Sequence, residues 1–277
     1  MSTVAQLLAG ARARGLDRLD AQLLLAHRLA KPRVWLIAHD ADAVAADVAM
    51  RFADDCAERA RGVPLAYLVG QREFHGLMLR VTPAVLVPRP DTEVLVDWAL
   101  ELLGGPLADR PAPELADLGT GSGAIALAVK HACPHVRMLA IDASASALEV
   151  ARANAQHLGL DLNFSVGDWL GGHPGRRFDL LLSNPPYIDG DDPHLAALQA
   201  EPAAALTPGP DGMSDLRRIV DRAGQHLNPG GWLLLEHGHT QAEAVATALG
   251  RAGFSAIGTR RDLAGLPRCT GGQWPSA

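Results

Sequence analysis

Glu114-Leu115-Ala116-Asp117-Leu118-Gly119-Thr120-Gly121-Ser122-Gly123 runs straight into Ala124-Ile125-Ala126-Leu127-Ala128-Val129, and the change of pattern along these residues decides the fold. An apolar strand, a glycine-rich turn and an apolar helix, in that order, make the first βα unit of a Rossmann-like sheet. The next strand, Arg137 to Ile141, ends in Asp142. That places an acid about 20 residues past the glycines, where such folds bind the ribose hydroxyls. The glycines are spaced G-x-G-x-G and lack the G-x-G-x-x-G spacing that brings a helix N-terminus onto a pyrophosphate. A nucleoside cofactor without a pyrophosphate follows, and S-adenosylmethionine meets that description. Its ribose would meet Asp142, its amino-acid end would lie along Gly119, Thr120, Gly121, Ser122 and Gly123, and its ammonium would be approached by Asp117. Alone, the turn reads equally as a plain tight turn of an α/β protein.

A second stretch, Phe178-Asp179-Leu180-Leu181-Leu182-Ser183-Asn184-Pro185-Pro186-Tyr187, puts a chemical site at another strand end. The apolar run through Ser183 reads as a buried strand. Each proline fixes its own φ and pushes the preceding residue toward extended geometry, so Asn184 and Pro185 are both restrained. Neither proline has an N–H, so these peptide units offer carbonyl acceptors without competing donors. With the Asn184 side-chain oxygen added, the loop becomes a stiff fork of acceptors beside the ring of Tyr187. Such a fork suits a planar substrate group carrying an NH2. A strand that simply ends in a proline turn explains the four residues as well when they stand alone. Both motifs fall at strand carboxyl ends, where open α/β sheets bind ligands at the point of strand-order reversal. Taken together, they favour a methyl donor and an acceptor nitrogen meeting there.

Composition sets the outer bounds. A chain of 277 residues, 48% hydrophobic and 20% charged, can bury one large core and a small one, so two domains are expected. A formal net charge of −6 argues against affinity won by neutralising a phosphate backbone, and no stable nucleic-acid binding is expected. Cys56, Cys133 and Cys269 have no paired or metal-like spacing. They point to a reduced compartment and to no metal site. Residues 1–13 lack a signal-peptide pattern and no apolar run approaches membrane-spanning length, so a cytoplasmic protein without membrane contact is expected.

Residues 1–72 are rich in Ala, Leu and Arg at helical spacing and read as a small helical domain. Leu16, Leu19, Leu23, Leu24 and Leu29 are expected on one side of a helix, and a further helix is expected over about 43–61. Residues 73–90 read as a hairpin or extended linker punctuated by Gly76 and Pro83. Asp91 or Thr92 is expected to cap the helix that opens residues 91–277, after which strands and helices alternate as a doubly wound sheet requires. The stretch Pro88 to Glu93 could be a lid on the donor or a rigid linker. Glu236 could face the pocket or pair locally, and His237 and His239 read as ordinary strand-end residues.

The whole chain resembles the PrmC (HemK) family of S-adenosylmethionine-dependent methyltransferases, which modify the glutamine of the Gly-Gly-Gln loop in class I peptide chain release factors. The likeness is carried by Asp20 to His27, Pro64 to Gly70, Phe74-His75-Gly76, Leu86-Val87-Pro88-Arg89-Pro90-Asp91-Thr92-Glu93 and Asp117 to Gly123. It continues through Gly167-Asp168-Trp169, Ser183 to Ile188, Glu201-Pro202 and Gly230 to Gly238. Gly265-Leu266-Pro267-Arg268 departs from the more polar run usual there. The resemblance implies a class I S-adenosylmethionine-dependent methyltransferase fold with a helical domain that recognises the release factor. It also implies that the protein is a monomer forming a transient complex and that S-adenosylhomocysteine is the product. By the family pattern Trp169 covers the adenine and Asp168 reads its amino group, although an indole filling a sheet-helix interface fits the residues equally well. Asn184, Pro185 and Tyr187 are the expected catalytic residues. Pro186 joins them in substrate binding, and Asn184 also meets the donor. An amino-methyltransferase acting on a nucleobase or a ribosomal protein, a nucleotide-dependent oxidoreductase and a non-catalytic adaptor are the rival readings.

Overall fold

Leucine-rich five- and six-residue runs alternating with amphipathic helices can bury both faces of a strand only in a sheet covered on two sides. A computed structural model describes residues 1–209 and 211–276 and contains such a sheet. The chain divides into two compact units, Met1–Gln71 with Ala197–Ala200, and the remainder from Arg72 onward.

The first unit holds α1 (Val4–Ala13), α2 (Arg18–Leu29), α3 (Trp35–Ala38), α4 (Ala46–Ala60) and α5 (Leu65–Val69). Thr3 and Gln6 close a reciprocal capping box on α1, and Asp17 accepts from the Leu19 N–H to start α2. Leu24, Leu25, Phe52 and Cys56 fill its core. Leu19, expected on the same side, is exposed. It lies five residues before Leu24, which at 3.6 residues per turn rotates it roughly 140° away.

From the boundary at Gln71 onward, β1 (Gln71–Phe74) and β2 (Leu77–Arg80) pair as a hairpin. His75 and Gly76 both take positive φ, the two-residue turn that matches strand twist. A single 3-10 turn, Pro90–Thr92, leads into α6 (Glu93–Gly104). Thr92 makes no side-chain capping bond to that helix, because its hydroxyl is engaged elsewhere. There follow β3 (Glu114–Leu118), α7 (Ala124–Ala132), β4 (Arg137–Asp142), α8 (Ala145–Leu158), β5 (Asn163–Val166) and β6 (Phe178–Ser183). The chain ends with α9 (Ser214–Ala223), β7 (Leu227–Glu236), α10 (Ala242–Arg251), β8 (Ser255–Arg261) and β9 (Pro267–Gln273).

The strands order as β5-β4-β3-β6-β7-β9-β8, parallel through β7, with β9 antiparallel to both β7 and β8. Side chains alternate across the sheet. Leu115, Leu180, Leu182 and Leu234 pack with residues of α6 and α7 on one face, and Leu118, Leu181, Leu233 and Leu235 pack with residues of α9 and α10 on the other. The chain runs outward from β3 to β5 and returns on the opposite side as β6, so strand order reverses between β3 and β6. Among the described residues no helix is long and apolar enough to cross a membrane.

Asn154 of α8 fastens the glycine-rich turn to the hairpin. Its Nδ2 donates to the carbonyls of Ser122 at 2.9 Å and Arg80 at 3.0 Å, and its Oδ1 accepts from the Arg80 N–H at 2.7 Å. The side chain is 1% exposed, so removing it strands three backbone groups. Asn154→Ala should lower stability by about 2–3 kcal/mol, read as a shift in the urea midpoint. An unchanged midpoint would show that these bonds carry no net stability.

Candidate active site

The parallel pairing of β3 with β6 sets Leu118 opposite Ser183, so Gly119 and Asn184 leave the sheet side by side. The glycine-rich turn and the proline loop therefore open onto one cavity of about 290 Å³. Gly119, Thr120, Gly121, Ser122, Asp142, Asp168, Trp169, Asn184 and Pro186 line it. Asp117, Gly123, Pro185 and Tyr187 are not among its lining residues.

The turn is shaped by backbone bonds. Gly119 and Thr120 both donate to the carbonyl of Ile141 at 2.9 Å, while Gly119, Gly121 and Gly123 take positive φ. A Cβ at Gly119 would sit 3.0 Å from the Trp169 ring, and one at Gly123 would sit 2.9 Å from Leu127. Glycine is required at both positions by backbone conformation and by contact. Asp142 stands at the end of β4 with Oδ2 accepting from Gly121 N–H and Oδ1 accepting from Ser144 N–H, each at 2.8 Å. Each oxygen keeps a lone pair for a ligand.

Asp117 is fully buried beneath the turn. Its Oδ2 accepts from Thr120 Oγ1 at 2.6 Å and from Ala126 N–H at 3.3 Å, so it serves the open first turn of α7, which has no side-chain cap. Its Oδ1 has no partner. Burial pushes the carboxyl up to about 7 against the two hydrogen bonds. Asp117, expected to approach the donor's ammonium, is 0% exposed.

Trp169 has φ of 53°, a left-handed conformation that is costly for a bulky residue, and its ring packs on Gly119 and lines the cavity. Asp168 pairs with Arg218 at 2.5 Å near the surface. In the proline loop, Asn184 Nδ2 donates to Thr92 Oγ1 at 3.2 Å. The Tyr187 hydroxyl donates to Glu236 Oε1 at 3.0 Å, and Gln241 donates to the Tyr187 carbonyl at 3.0 Å. Burial first, and then Glu236, push the phenol well above its ordinary range. Burial also pushes Glu236 up to about 7, opposed by the hydroxyls of Thr92 and Tyr187. Glu236 thus pairs locally, as does His237, whose ring bonds Thr270 Oγ1 at 2.7 Å. No group of His, Cys, Asp and Glu among the described residues could hold a metal ion.

Several lining residues were given no site role from the sequence beyond the lid-or-linker reading of Pro88 to Glu93. Phe74, Val85 and Leu86 form an apolar wall, and Pro88, Arg89 and Thr92 close one side. Glu201 fastens that segment, pairing with Arg89 and accepting from Val87 N–H at 3.0 Å. The motifs Phe74-His75-Gly76, Pro88 to Glu93 and Glu201-Pro202 carried the signal, but none has a spacing that announces a pocket.

Comparison with known proteins joins the two units. The PrmC N-terminal domain matches residues 2–70, and the Methyltransferase small domain matches residues 93–209. The release factor glutamine methyltransferase of Bordetella pertussis is 48% identical over 93% of this chain and 95% of its own. That of Burkholderia pseudomallei is 45% identical over 99% and 97%. The chain belongs to the release factor glutamine methyltransferase family. A crystal structure of a methyltransferase from Pyrococcus furiosus has the same fold, with a TM-score of 0.53 at 19% identity over 73% of this chain and 90% of that one.

The lining residues suit the donor such a methyltransferase uses. Asp142 supplies carboxylate acceptors for a diol, the left-handed glycine turn presents backbone to a narrow ligand, and the Trp169 ring presents a flat apolar surface.

The elevated Asp117 carboxyl has a measurable signature in the family fold. Between about pH 4 and 7 the folded protein holds a proton there that the unfolded chain has released, so stability falls as pH rises through this window. Asp117→Asn, which cannot ionise, should therefore gain on the wild type as pH rises from 5 to 8, measured as the difference in Tm. A difference independent of pH would mean the carboxyl is not perturbed.

Proposed function

We propose that this protein transfers a methyl group from S-adenosylmethionine to the side-chain amide nitrogen of the glutamine in the Gly-Gly-Gln motif of class I release factors. S-adenosylhomocysteine is the second product. The observation that carries the reading is the meeting of Asn184 and Pro186 with Asp142 and the glycine turn on one cavity, within a chain that belongs to this family over nearly its full length.

Asp142 would hold the ribose, the backbone of Gly119 to Ser122 the amino-acid end, and Trp169 with Asp168 the adenine. When bound, the donor supplies an electrophilic methyl group on a sulfonium. Asp117 contributes by holding the turn and the first residues of α7 in place.

A carboxamide nitrogen is a poor nucleophile because its lone pair is delocalised into the carbonyl. Holding it near contact distance and in line can supply about 7–11 kcal/mol in a favourable case, and the stiff loop is suited to that task. With Nδ2 of Asn184 committed to Thr92, Oδ1 is the end free to accept an N–H of the substrate amide. The Pro185 carbonyl would accept the other. Both acceptors stabilise the positive charge that develops on nitrogen. Tyr187, anchored through Glu236, keeps the loop in place beside the amide plane. The lining carboxylates Asp142 and Asp168 are assigned to the donor, and an N-alkylated amide cation is acidic enough for water to take the departing proton. A glutamate carboxylate would bring no hydrogen to either acceptor, and the unpaired buried groups would select strongly against it. The helical unit is assigned recognition of the release factor, and the complex is transient.

Incubation with methyl-labelled donor and a purified class I release factor should place the label on that glutamine, located by mass spectrometry. Label on nucleic acid instead would overturn the assignment. Asn184→Ala should lower the rate of transfer about 10²–10³-fold while donor affinity, measured by calorimetry, changes only a few-fold. Equal losses in both would contradict its role. Asp142→Ala should show the reverse pattern, with donor affinity falling at least about tenfold. Unchanged affinity would remove the ribose assignment.

A further inference from the structure

Pro185 and Pro186 have no N–H, so this part of the loop cannot be fastened by donation and has to be held from its two ends. At the amino end Asn184 Nδ2 donates to Thr92 Oγ1. At the carboxyl end both holds on Tyr187 come from one short stretch where β7 runs out toward α10. Glu236 accepts from its hydroxyl, and Gln241 donates to its carbonyl. The Gln241 side chain is engaged at every point: Nε2 donates to the carbonyls of Tyr187 at 3.0 Å and Gly212 at 3.2 Å, and Oε1 accepts from the Gly238 N–H at 2.8 Å. Carbonyls only accept and an N–H only donates, so the amide fits in one orientation. Gln241 stands at the N-cap position of α10, yet its side chain makes no capping bond to that helix. The stabilisation open to an N-cap side chain is left unused. The surroundings are packed to contact. A Cβ at Gly212, where φ is 60°, would lie 2.7 Å from the Tyr187 carbonyl oxygen, and one at Gly238 would lie 3.1 Å from Gln241 Oε1.

We propose that Gln241 is a positioning residue that fixes the carboxyl end of the Asn184 to Tyr187 loop through the Tyr187 carbonyl, and thereby sets where the Pro185 carbonyl meets the substrate amide. The inference rests on the glutamine-methylating reading given above and adds to it a determinant that is not among the residues lining the cavity. Peptide planes are rigid and each proline fixes its φ, so a displacement of the Tyr187 carbonyl is carried back along the loop toward Pro185. The hydrogen-bond partners of the Gln241 side chain are Tyr187, Gly212 and Gly238, and none of these is assigned to the donor. Loss of Gln241 therefore falls on the transfer step and spares donor binding.

The test reads kcat for release factor methylation together with donor affinity by calorimetry, in the full chain. Gln241→Met, which keeps the length of the side chain and loses all three bonds, should lower kcat at least about tenfold while donor affinity stays within about threefold. Gln241→Glu keeps an acceptor for the Gly238 N–H but turns a carboxylate toward two carbonyls, and should be at least as slow. Gly212→Ala sets a methyl group against the Tyr187 carbonyl and should show the same split between kcat and donor affinity. Gln241→Met combined with Gly212→Ala should be no more than about twofold slower than the slower single variant, because both changes displace one carbonyl. Wild-type kcat in Gln241→Glu, donor affinity that falls in step with kcat, or losses that multiply in the combined variant would overturn the proposal. If Gly212→Ala does not fold, the two Gln241 variants decide by the split alone. Failure of the wild type to methylate the release factor would instead overturn the parent reading, and this one with it.

Discussion

Ser183 donates its hydroxyl to the carbonyl of Leu118 at 2.6 Å, inside a pair of parallel strands buried on both faces. That bond sits at the last register position before both chains leave the sheet. The glycine turn begins at the next residue on one strand and the proline loop at the next residue on the other. Their closeness therefore comes from the ladder and does not depend on a flexible loop finding its partner. A one-residue slip would send every side chain of the strand to the opposite face. The Leu180-Leu181-Leu182 run is apolar toward both faces and does not by itself fix this register; Asp179 and Ser183 at its ends, bonded to the Glu114 N–H and the Leu118 carbonyl, do.

Buried acids supply the second layer of organisation, and they are satisfied in two ways. Asp179 pairs with Arg110 and accepts from the Glu114 N–H at 2.8 Å, and Glu201 pairs with Arg89 and the Val87 N–H. These two hold chain segments together at the edges of the sheet and cavity. Asp117 and Glu236 are bonded instead by neutral donors, leave one oxygen unpartnered, and are the two carboxyls pushed up to about 7 by burial. They lie beneath the glycine turn and behind the proline loop respectively. Burial of an incompletely satisfied acid lowers stability. Its position under both halves of the site is the pattern expected where stability gives way to function.

The conformation of Trp169 fits the same pattern. A tryptophan in the left-handed region is held there by packing on Gly119, whose lack of a Cβ makes room for the ring. The turn and the ring shape each other, and the flat surface in the cavity results from both.

The strands from Glu114 to Ser183, the acid at the end of β4, and the two motifs at neighbouring strand ends were readable from the residues, because periodicity, glycine spacing and proline stiffness are local properties. Helix α2 was readable too, but not which of its leucines faces inward, since Leu19 differs from Leu24 only by its rotation about the axis. What needed the tertiary structure were contacts between residues far apart in sequence. Thr92 reads as a helix cap and is instead the partner of Asn184, 92 residues on, and Glu236 reaches Tyr187 across 49 residues. That Asp117 bonds the Thr120 hydroxyl and the Ala126 N–H at the start of α7 was likewise not readable from the residues. Local sequence specifies which groups can give or accept a hydrogen bond. Only the closing of the sheet decides which of them meet, because a buried donor takes whichever acceptor the packed chain brings within reach.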